Sequence, residues 1–236
     1  MSDYAQREAH APAHGEASLA VFDYDGTIMD GQSGQLFSLY LLRHGLITRR
    51  TALRLGWWGV RYKLHLPYRQ DESRELIFRD LARYDHDEVM RIMRDFYAEL
   101  LAPRTRADAK AEIERCQADG MTCVLVSATF FEMARVAAEE LGIEGVAATH
   151  MELDERGHFT GRVDGEVVAG EGKVRAVCRW ANEAIGEGAW RIARAYGDHF
   201  TDEPLLELAG EPCAVCPGST LFRIARRRGW RIARWS

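Results

Sequence analysis

Short apolar runs along the chain predict buried strands. They lie at residues 17–21, 122–126, 146–149, 191–196 and 213–216. From residue 103 onward these runs alternate with segments of helical periodicity, and a turn-rich stretch between the third and fourth runs predicts a hairpin. Strand–helix alternation is typical of a parallel sheet with right-handed crossovers, so we expect an α/β fold.

Residues 31–102 differ from this pattern, because they show helical periodicity and few strand signals. Thr48 is placed to cap a helix that runs to about Leu64, and further helices are predicted at 72–81 and 88–101. We expect a helical cap inserted into an α/β core. The predicted units are a flexible N-terminal tail at 1–17, a core domain at 18–30 and 103–236, and a cap domain at 31–102.

The most aromatic segment, residues 57–62 (WWGVRY), lies inside this predicted cap and is interleaved with basic residues. Such a segment could lie at a membrane surface or pack within the cap, with the basic side chains extending to solvent. We favour packing within the cap. The arginine-rich run at 223–234 is similarly interpreted as a solvated helix face.

Composition excludes several classes of protein. A net charge of −5 argues against a general nucleic-acid binder, and no apolar run approaches the length of a membrane helix. Residues 1–16 are polar and lack the apolar stretch of a signal peptide. We therefore expect a cytoplasmic protein with no stable membrane insertion.

The cysteines do not indicate a disulfide or metal framework. There are five, an odd number, which fits a reducing compartment. Cys213 and Cys216 form a CxxC pair on a predicted strand, where residues three apart face opposite sides. Since no second pair completes a tetrahedral site, we do not expect zinc or redox chemistry here.

Candidate chemistry begins where the first apolar run ends, in the sequence FDYDGT at residues 22–27. Asp23 and Asp25 are two residues apart, so in an extended chain both would point to one side, just past the carboxyl end of a strand. Open α/β sheets build their sites there. Two crowded carboxylates need a cation, a shared proton or both; the alternative is a pair of solvated turn residues.

Three further motifs, which contain four polar residues, follow later strands or begin later helices. Ser127 ends the second apolar run, where it could cap the next helix or bind a phosphate together with free backbone N–H groups. Lys173 lies in a predicted first helical turn, which is unfavourable for a cation unless an anion is close. Asp198 and Asp202 follow the fourth run, where acids also commonly serve as helix-dipole partners.

In this order, these motifs resemble those of the haloacid dehalogenase superfamily of aspartyl-phosphate enzymes, over residues 18–236. The long insert after the first motif and the segment 152–162 resemble subfamily IB, which is phosphoserine phosphatase-like. The resemblance implies a three-layer α/β/α core with a parallel, Rossmann-like sheet and an inserted helical type-I cap.

The resemblance also implies residue roles and a cofactor, Mg²⁺. Asp23 would be the nucleophile and a metal ligand, together with Asp198. Asp25 would give its backbone carbonyl to the metal and its carboxyl group to proton transfer. Asp202 would orient the metal shell. The residues expected to hold the phosphoryl oxygens are Thr27, Ser127 and Lys173.

The implied activity is a Mg²⁺-dependent phosphomonoesterase acting on a small phosphate ester. Phosphoserine phosphatases typically carry Glu where this chain has Gln32, and losing that contact to a substrate ammonium would cost about 1.5–3 kcal/mol. Phosphoserine phosphatase is therefore the second hypothesis, and a non-catalytic phosphate-binding or regulatory protein is the third. His199 stands where a small residue is usual, and we expect it beside the site without a chemical role.

Overall fold

A computed structural model describes residues 16–64, 66, 67, 69 and 71–236. Residues 1–15 of the predicted tail lie outside this range, and Ala17, which we placed in the tail, begins the first strand. The strands are β1 Ala17–Asp23, β2 Thr122–Phe130, β3 Gly145–Thr149, β4 Met151–Leu153, β5 Phe159–Val163, β6 Trp190–Gly197, β7 Glu211–Val215 and β8 Arg231–Ala233.

Helices account for most of the remaining described chain. The α-helices are α1 Ser33–Arg43, α2 Arg49–Lys63, α3 Glu72–Leu81, α4 His86–Phe96, α5 Ala107–Ala118, α6 Phe131–Leu141, α7 Glu171–Ala184, α8 Glu203–Glu207 and α9 Ser219–Arg228. Short π and 3₁₀ segments are found at Tyr97–Leu101, Ala102–Arg104 and Phe200–Asp202. None of the helices in the described part of the chain has the length and hydropathy needed to cross a bilayer.

Six strands form one parallel sheet in the order β3-β2-β1-β6-β7-β8, which confirms the predicted α/β fold. β1 lies inside the sheet, and its side chains alternate between two apolar clusters. Leu19 and Val21 pack on one face of the sheet, while Ala20 and Phe22 pack on the other. Because both faces are covered, the strand is apolar from Leu19 to Phe22, immediately before Asp23.

The segment between β1 and β2 is helical, as its periodicity predicts. Thr48 caps α2, with its Oγ1 accepting a hydrogen bond from the Thr51 N–H at 3.1 Å. The helix predicted from residue 88 starts two residues earlier, because Asp85 and Glu88 form a capping box. Aromatic packing joins this segment to the sheet: the Phe37 ring lies 5.7 Å from that of Phe130 at the end of β2.

The structure also differs from the sequence prediction at the C-terminal end of the chain and in α2. The C-terminal helix ends at Gly229, whose φ of +69° breaks the helix, and β8 then adds an edge strand that we did not predict. The arginine-rich run therefore lies partly on α9 and partly on β8. In α2, Trp58 is half-buried and its Nε1 donates to the Arg69 carbonyl, but Trp57 is 59% exposed. Packing within the cap was therefore wrong for Trp57.

Candidate active site

The first motif forms a tight turn at the carboxyl end of β1. Asp23 is its last residue and is 4% exposed. Gly26 has φ +83°, and a Cβ at this position would collide with the carboxylate of Asp198. Only glycine therefore allows the turn after β1 to approach the loop after β6 so closely. The Thr27 hydroxyl donates to Asp23 Oδ2 at 3.1 Å.

Lys173 reaches into this turn from the first turn of α7. Its buried Nζ lies 2.6 Å from Asp23 Oδ1 and 2.6 Å from Asp202 Oδ1. Burial opposes its charge, but the two carboxylates outweigh burial and raise the pKa of Lys173 above its usual range. These anions account for a cation at a helix start, where the helix dipole alone would disfavour it.

Three carboxylates converge beside this lysine. One oxygen from each of Asp23, Asp198 and Asp202 lies within 4.8 Å of the others. Burial, with Asp202 adding repulsion, raises the pKa of Asp198 to about 7. Burial likewise raises the pKa of Asp23 well above its usual range, despite Lys173. The three carboxylates offer only oxygen ligands, and together they carry more negative charge than one lysine balances. Such a cluster fits a hard divalent cation such as Mg²⁺.

Within that cluster the carboxylate of Asp202 is already engaged by protein donors. Its Oδ1 receives Lys173, and its Oδ2 receives the backbone N–H of His199 at 3.1 Å. The His199 ring turns instead to the Thr201 hydroxyl at 2.9 Å, and burial lowers its pKa. Asp202 therefore positions Lys173 and the backbone of His199, and the carboxylate of Asp198 is less constrained.

Asp25 has a different hydrogen-bond partner, Ser33 at the start of α1. The Ser33 N–H donates to Asp25 Oδ1 at 2.8 Å, and the Ser33 hydroxyl donates to Oδ2 at 2.9 Å. Burial raises the pKa of Asp25, and the two Ser33 donors oppose that rise. The carboxyl group is oriented and poised to exchange a proton, which suits a general acid–base.

Ser127 joins the same network through two intermediates. The Ser33 hydroxyl lies 3.1 Å from Thr129 Oγ1, and the Thr129 N–H donates to Ser127 Oγ at 3.1 Å. Ser127 is not the cap of α6, since Phe130 occupies that position and makes no side-chain capping bond. Gln32 is exposed at the start of α1, immediately before Ser33, and makes no capping bond either.

Sequence reasoning missed Ser33 and a second residue, Arg74. From α3, the Nε and Nη2 atoms of Arg74 donate to the Ala128 carbonyl at 2.9 and 2.5 Å. Burial lowers the pKa of Arg74 to about 10, against the attraction of Asp25. The helical segment thus contributes a cation beside the strand ends. No motif marks Arg74, and a serine next to a helix start resembles an ordinary cap.

Comparison with known proteins gives consistent results. A family model of haloacid dehalogenase-like hydrolases matches residues 20–207. The chain is 31% identical over 222 residues to phosphoserine phosphatase SerB1 of Mycobacterium tuberculosis (strain ATCC 25618 / H37Rv), covering 91% of this chain and 70% of that protein. It is 27% identical over 222 residues to a histidinol-phosphatase of Neisseria meningitidis serogroup C (strain 8013), covering 91% and 97%.

A solved structure is similar over nearly the whole chain. The crystal structure of a protein with unknown function from Bordetella pertussis Tohama I aligns with a TM-score of 0.82 and 28% identity, covering 92% of this chain and 98% of that one. The similarity therefore includes both the sheet and the helical segment between β1 and β2.

Proposed function

The chain belongs to the haloacid dehalogenase-like hydrolases and is a phosphoric monoester hydrolase, and from this premise we propose that it is a Mg²⁺-dependent phosphomonoesterase that works through an aspartyl-phosphate on Asp23. One observation carries the proposal. Two carboxylates of one turn have different partners: Asp23 is paired with Lys173, whereas Asp25 is held by Ser33. Such a division separates a nucleophile from an acid–base.

In the first half-reaction a carboxylate oxygen of Asp23 attacks the phosphorus, and the ester P–O bond breaks. Lys173 and Thr27 hold the two Asp23 oxygens, so the carboxylate is oriented before substrate arrives. Protonated Asp25 gives its proton to the departing alkoxide. Its raised pKa favours the protonated form that this step needs.

In the second half-reaction the roles of Asp25 reverse. Its carboxylate takes a proton from water, the water oxygen attacks the phosphorus, and the bond to Asp23 breaks to release inorganic phosphate. Lys173, Thr27 and Ser127 are proposed to hold the phosphoryl oxygens during both steps. Asp202 keeps Lys173 in place through its Oδ1.

The proposed Mg²⁺ ligands are the carboxylates of Asp23 and Asp198 and the backbone carbonyl of Asp25. When bound, the ion neutralises charge on the phosphoryl oxygens and lets an anionic nucleophile approach an anionic ester. The carboxylates around Asp198 support this assignment, because a bound cation would offset both the burial and the repulsion from Asp202 that raise the pKa of Asp198.

We propose a small phosphorylated metabolite as the substrate and the helices of 31–102 as the cap that selects it. A second candidate, phosphoserine, is favoured by the similarity to the M. tuberculosis protein named phosphoserine phosphatase SerB1. Gln32 argues against it, because a neutral amide lacks the charge that would pair with a substrate ammonium.

Turnover of an aryl phosphate tests the activity and its metal dependence. Exhaustive chelation should abolish hydrolysis, and added Mg²⁺ should restore it. Rapid acid quenching during turnover should trap a phosphoryl group on Asp23, detectable by mass spectrometry as a modified peptide. Full activity after chelation, or turnover with no trapped intermediate on this peptide, would contradict the mechanism.

A panel of metabolite phosphates that includes phosphoserine and histidinol phosphate tests the substrate. We expect phosphoserine to be a poor substrate beside the best member of the panel. Gln32→Glu should raise kcat/KM for phosphoserine relative to that member by about tenfold or more, because it restores a charge pair. If the unaltered protein hydrolyses phosphoserine with the highest kcat/KM, the second candidate becomes the function.

A further inference from the structure

The outer face of α2 carries a row of large apolar side chains in solvent. Leu53, Trp57 and Val60, with Leu64 just beyond the helix, are spaced four, three and four residues apart, so they fall on one side. Their exposed fractions are 76%, 59%, 43% and 63%. We call these four residues the apolar stripe. The opposite side of α2 packs inward through Thr51, so the stripe is not this helix's contact with the fold.

Cations flank the apolar stripe on both sides. At 100° per residue, Arg50 and Arg54 fall to one side of it, while Arg49 and Lys63 fall to the other. All four are exposed, and across the described ranges none of them forms an ion pair with an acidic side chain. α2 itself contains no acidic residue.

A groove of about 760 Å³ lies between α2 and α3, and Leu53 and Trp57 of the stripe line its α2 side together with Arg50 and Arg54. Two acids line it, but each is already neutralised by an arginine. Glu72 pairs with Arg61 at 2.6 Å, and Glu75 pairs with Arg69 at 3.1 Å. The surface therefore keeps a positive balance from the flanking cations, although the protein as a whole carries −5.

We propose that the apolar stripe and its flanking cations dock this protein on an anionic membrane surface. A narrow apolar row can enter the boundary between head groups and acyl chains, while cations on both sides meet lipid phosphates. Trp57 suits that boundary because its ring is amphipathic. Exposed Leu66 extends the apolar surface past the helix end. Charge complementarity selects anionic lipid over a neutral one.

The docking surface is connected to the active site by one helix. Leu76 and Arg79 of α3 line the groove, and Arg74 of the same helix donates to the Ala128 carbonyl next to Ser127. A membrane-bound molecule would thus hold its helical segment against the lipid, with the catalytic strand ends on the other side of α3.

Vesicle flotation with the full chain tests this proposal. The protein should float with vesicles containing phosphatidylglycerol and not with pure phosphatidylcholine, and raised salt should weaken binding. The double variant Leu53→Ser/Trp57→Ser should reduce the partition coefficient at least about tenfold, through lost apolar burial. Arg50→Glu/Arg54→Glu should reduce it at least about twentyfold, since each cation near an anionic surface contributes about fivefold.

Matched controls lie on the far C-terminal helix and at another exposed leucine. Arg226→Glu/Arg227→Glu on α9 reverses the same number of charges elsewhere, and Leu208→Ser removes a smaller exposed apolar side chain elsewhere. Both variants should leave flotation unchanged. Absence of binding to anionic vesicles overturns the proposal, as does equal loss in the controls. Self-association that the Leu53→Ser/Trp57→Ser variant abolishes, without lipid binding, would instead assign the stripe to a second copy of the chain.

Discussion

Two regions differ, in opposite ways, from the usual burial of apolar side chains and exposure of charged ones. They are the carboxyl ends of β1 and β6, and the outer face of α2. At the strand ends, charged groups are buried: Asp23, Lys173 and Asp202 are each at most 5% exposed. On α2, large apolar groups are exposed, and Leu53 is 76% accessible to solvent. Both arrangements cost free energy relative to the usual distribution of polar and apolar residues.

The two regions differ in how that cost is offset. Each buried charge at the strand ends has a protein partner, such as the two contacts of Lys173 at 2.6 Å. The exposed leucine and tryptophan of the apolar stripe have no comparable cover within the described residues. The strand ends therefore satisfy their buried charges within the fold, whereas the proposed docking surface on α2 would be covered only by a surface from outside the chain.

The largest effect should come from Asp23, the proposed nucleophile. We expect Asp23→Asn to lower kcat for an aryl phosphate by about 10⁴-fold or more, because no covalent intermediate can form. The fold should persist, since Asn removes a buried charge without changing volume. Asp87→Asn, at a side chain 97% exposed, is the matched control and should retain full activity. Retention of more than about a tenth of the activity by Asp23→Asn would contradict its role.

Removing a partner from a buried carboxyl should have a smaller effect. Ser33→Ala deletes one of two donors to Asp25, and we expect kcat to fall about ten- to hundredfold with little change in KM. Because that donor stabilises the carboxylate, its loss should raise the pKa of Asp25 and move the pH–rate profile to higher pH. Ser38→Ala on the same helix is the control. A lower kcat with an unmoved profile would indicate a purely structural serine.

Glu132 is a buried carboxyl group that lies outside the candidate active site. It is 5% exposed, its Oε2 has no hydrogen-bond partner among the described residues, and burial raises its pKa to about 7. Because the pKa of Glu132 is raised in the folded protein, its burial does not lower the free energy of unfolding below pH 4.5, the pKa of the unfolded state. The free energy of unfolding falls as pH rises from 4.5 towards 7.

Glu132→Gln should therefore raise the free energy of unfolding at pH 8 by about 1–3 kcal/mol and change it little at pH 4.5. Denaturant unfolding at both pH values measures the difference. Glu139→Gln, at an exposed position of the same helix, is the control and should show no comparable gain. An equal effect of Glu132→Gln at both pH values would show that ionisation of Glu132 does not lower the free energy of unfolding.

The smallest effect should appear on α2. Leu53→Ser/Trp57→Ser should change the free energy of unfolding by no more than about 1 kcal/mol, because neither side chain is buried. Leu81→Ala, at a fully buried leucine of α3, should cost about 2–5 kcal/mol in the same measurement. A large loss at the stripe would mean that these residues support the fold after all.

Features that depend on residues close together in the sequence could be predicted, whereas features that depend on tertiary contacts could not. Asp23 ends an apolar strand, so its placement at a sheet edge was predictable, and Asp25 lies in the turn that follows at once. Ser33 and Arg74 act through tertiary contacts with Asp25 and Ala128, and neither belongs to a local pattern. Trp57 was misjudged for a related reason: aromatic content predicts packing, but only the fold shows which side of α2 faces inward.

The last strand shows the same limit. β8 spans Arg231–Ala233, too short for apolar alternation to be recognised, and it forms because β7 offers an open edge. By contrast, the fold class was predictable and is confirmed, since strand–helix alternation repeats along the chain.

The interior position of β1 also sets the order in which a newly made chain can complete its sheet. β1 is translated before both of the strands that it pairs with. Leu19 pairs with Thr122 of β2 on one edge, and Ala17 pairs with Trp190 of β6 on the other. Helices α1–α4 can form from local contacts during that interval, whereas long-range strand pairing is slow. A nascent chain halted before Trp190 carries an apolar strand with an open edge and lacks Asp198 and Asp202. Asp23, the proposed nucleophile, is thus translated before the residues that surround it in the folded protein.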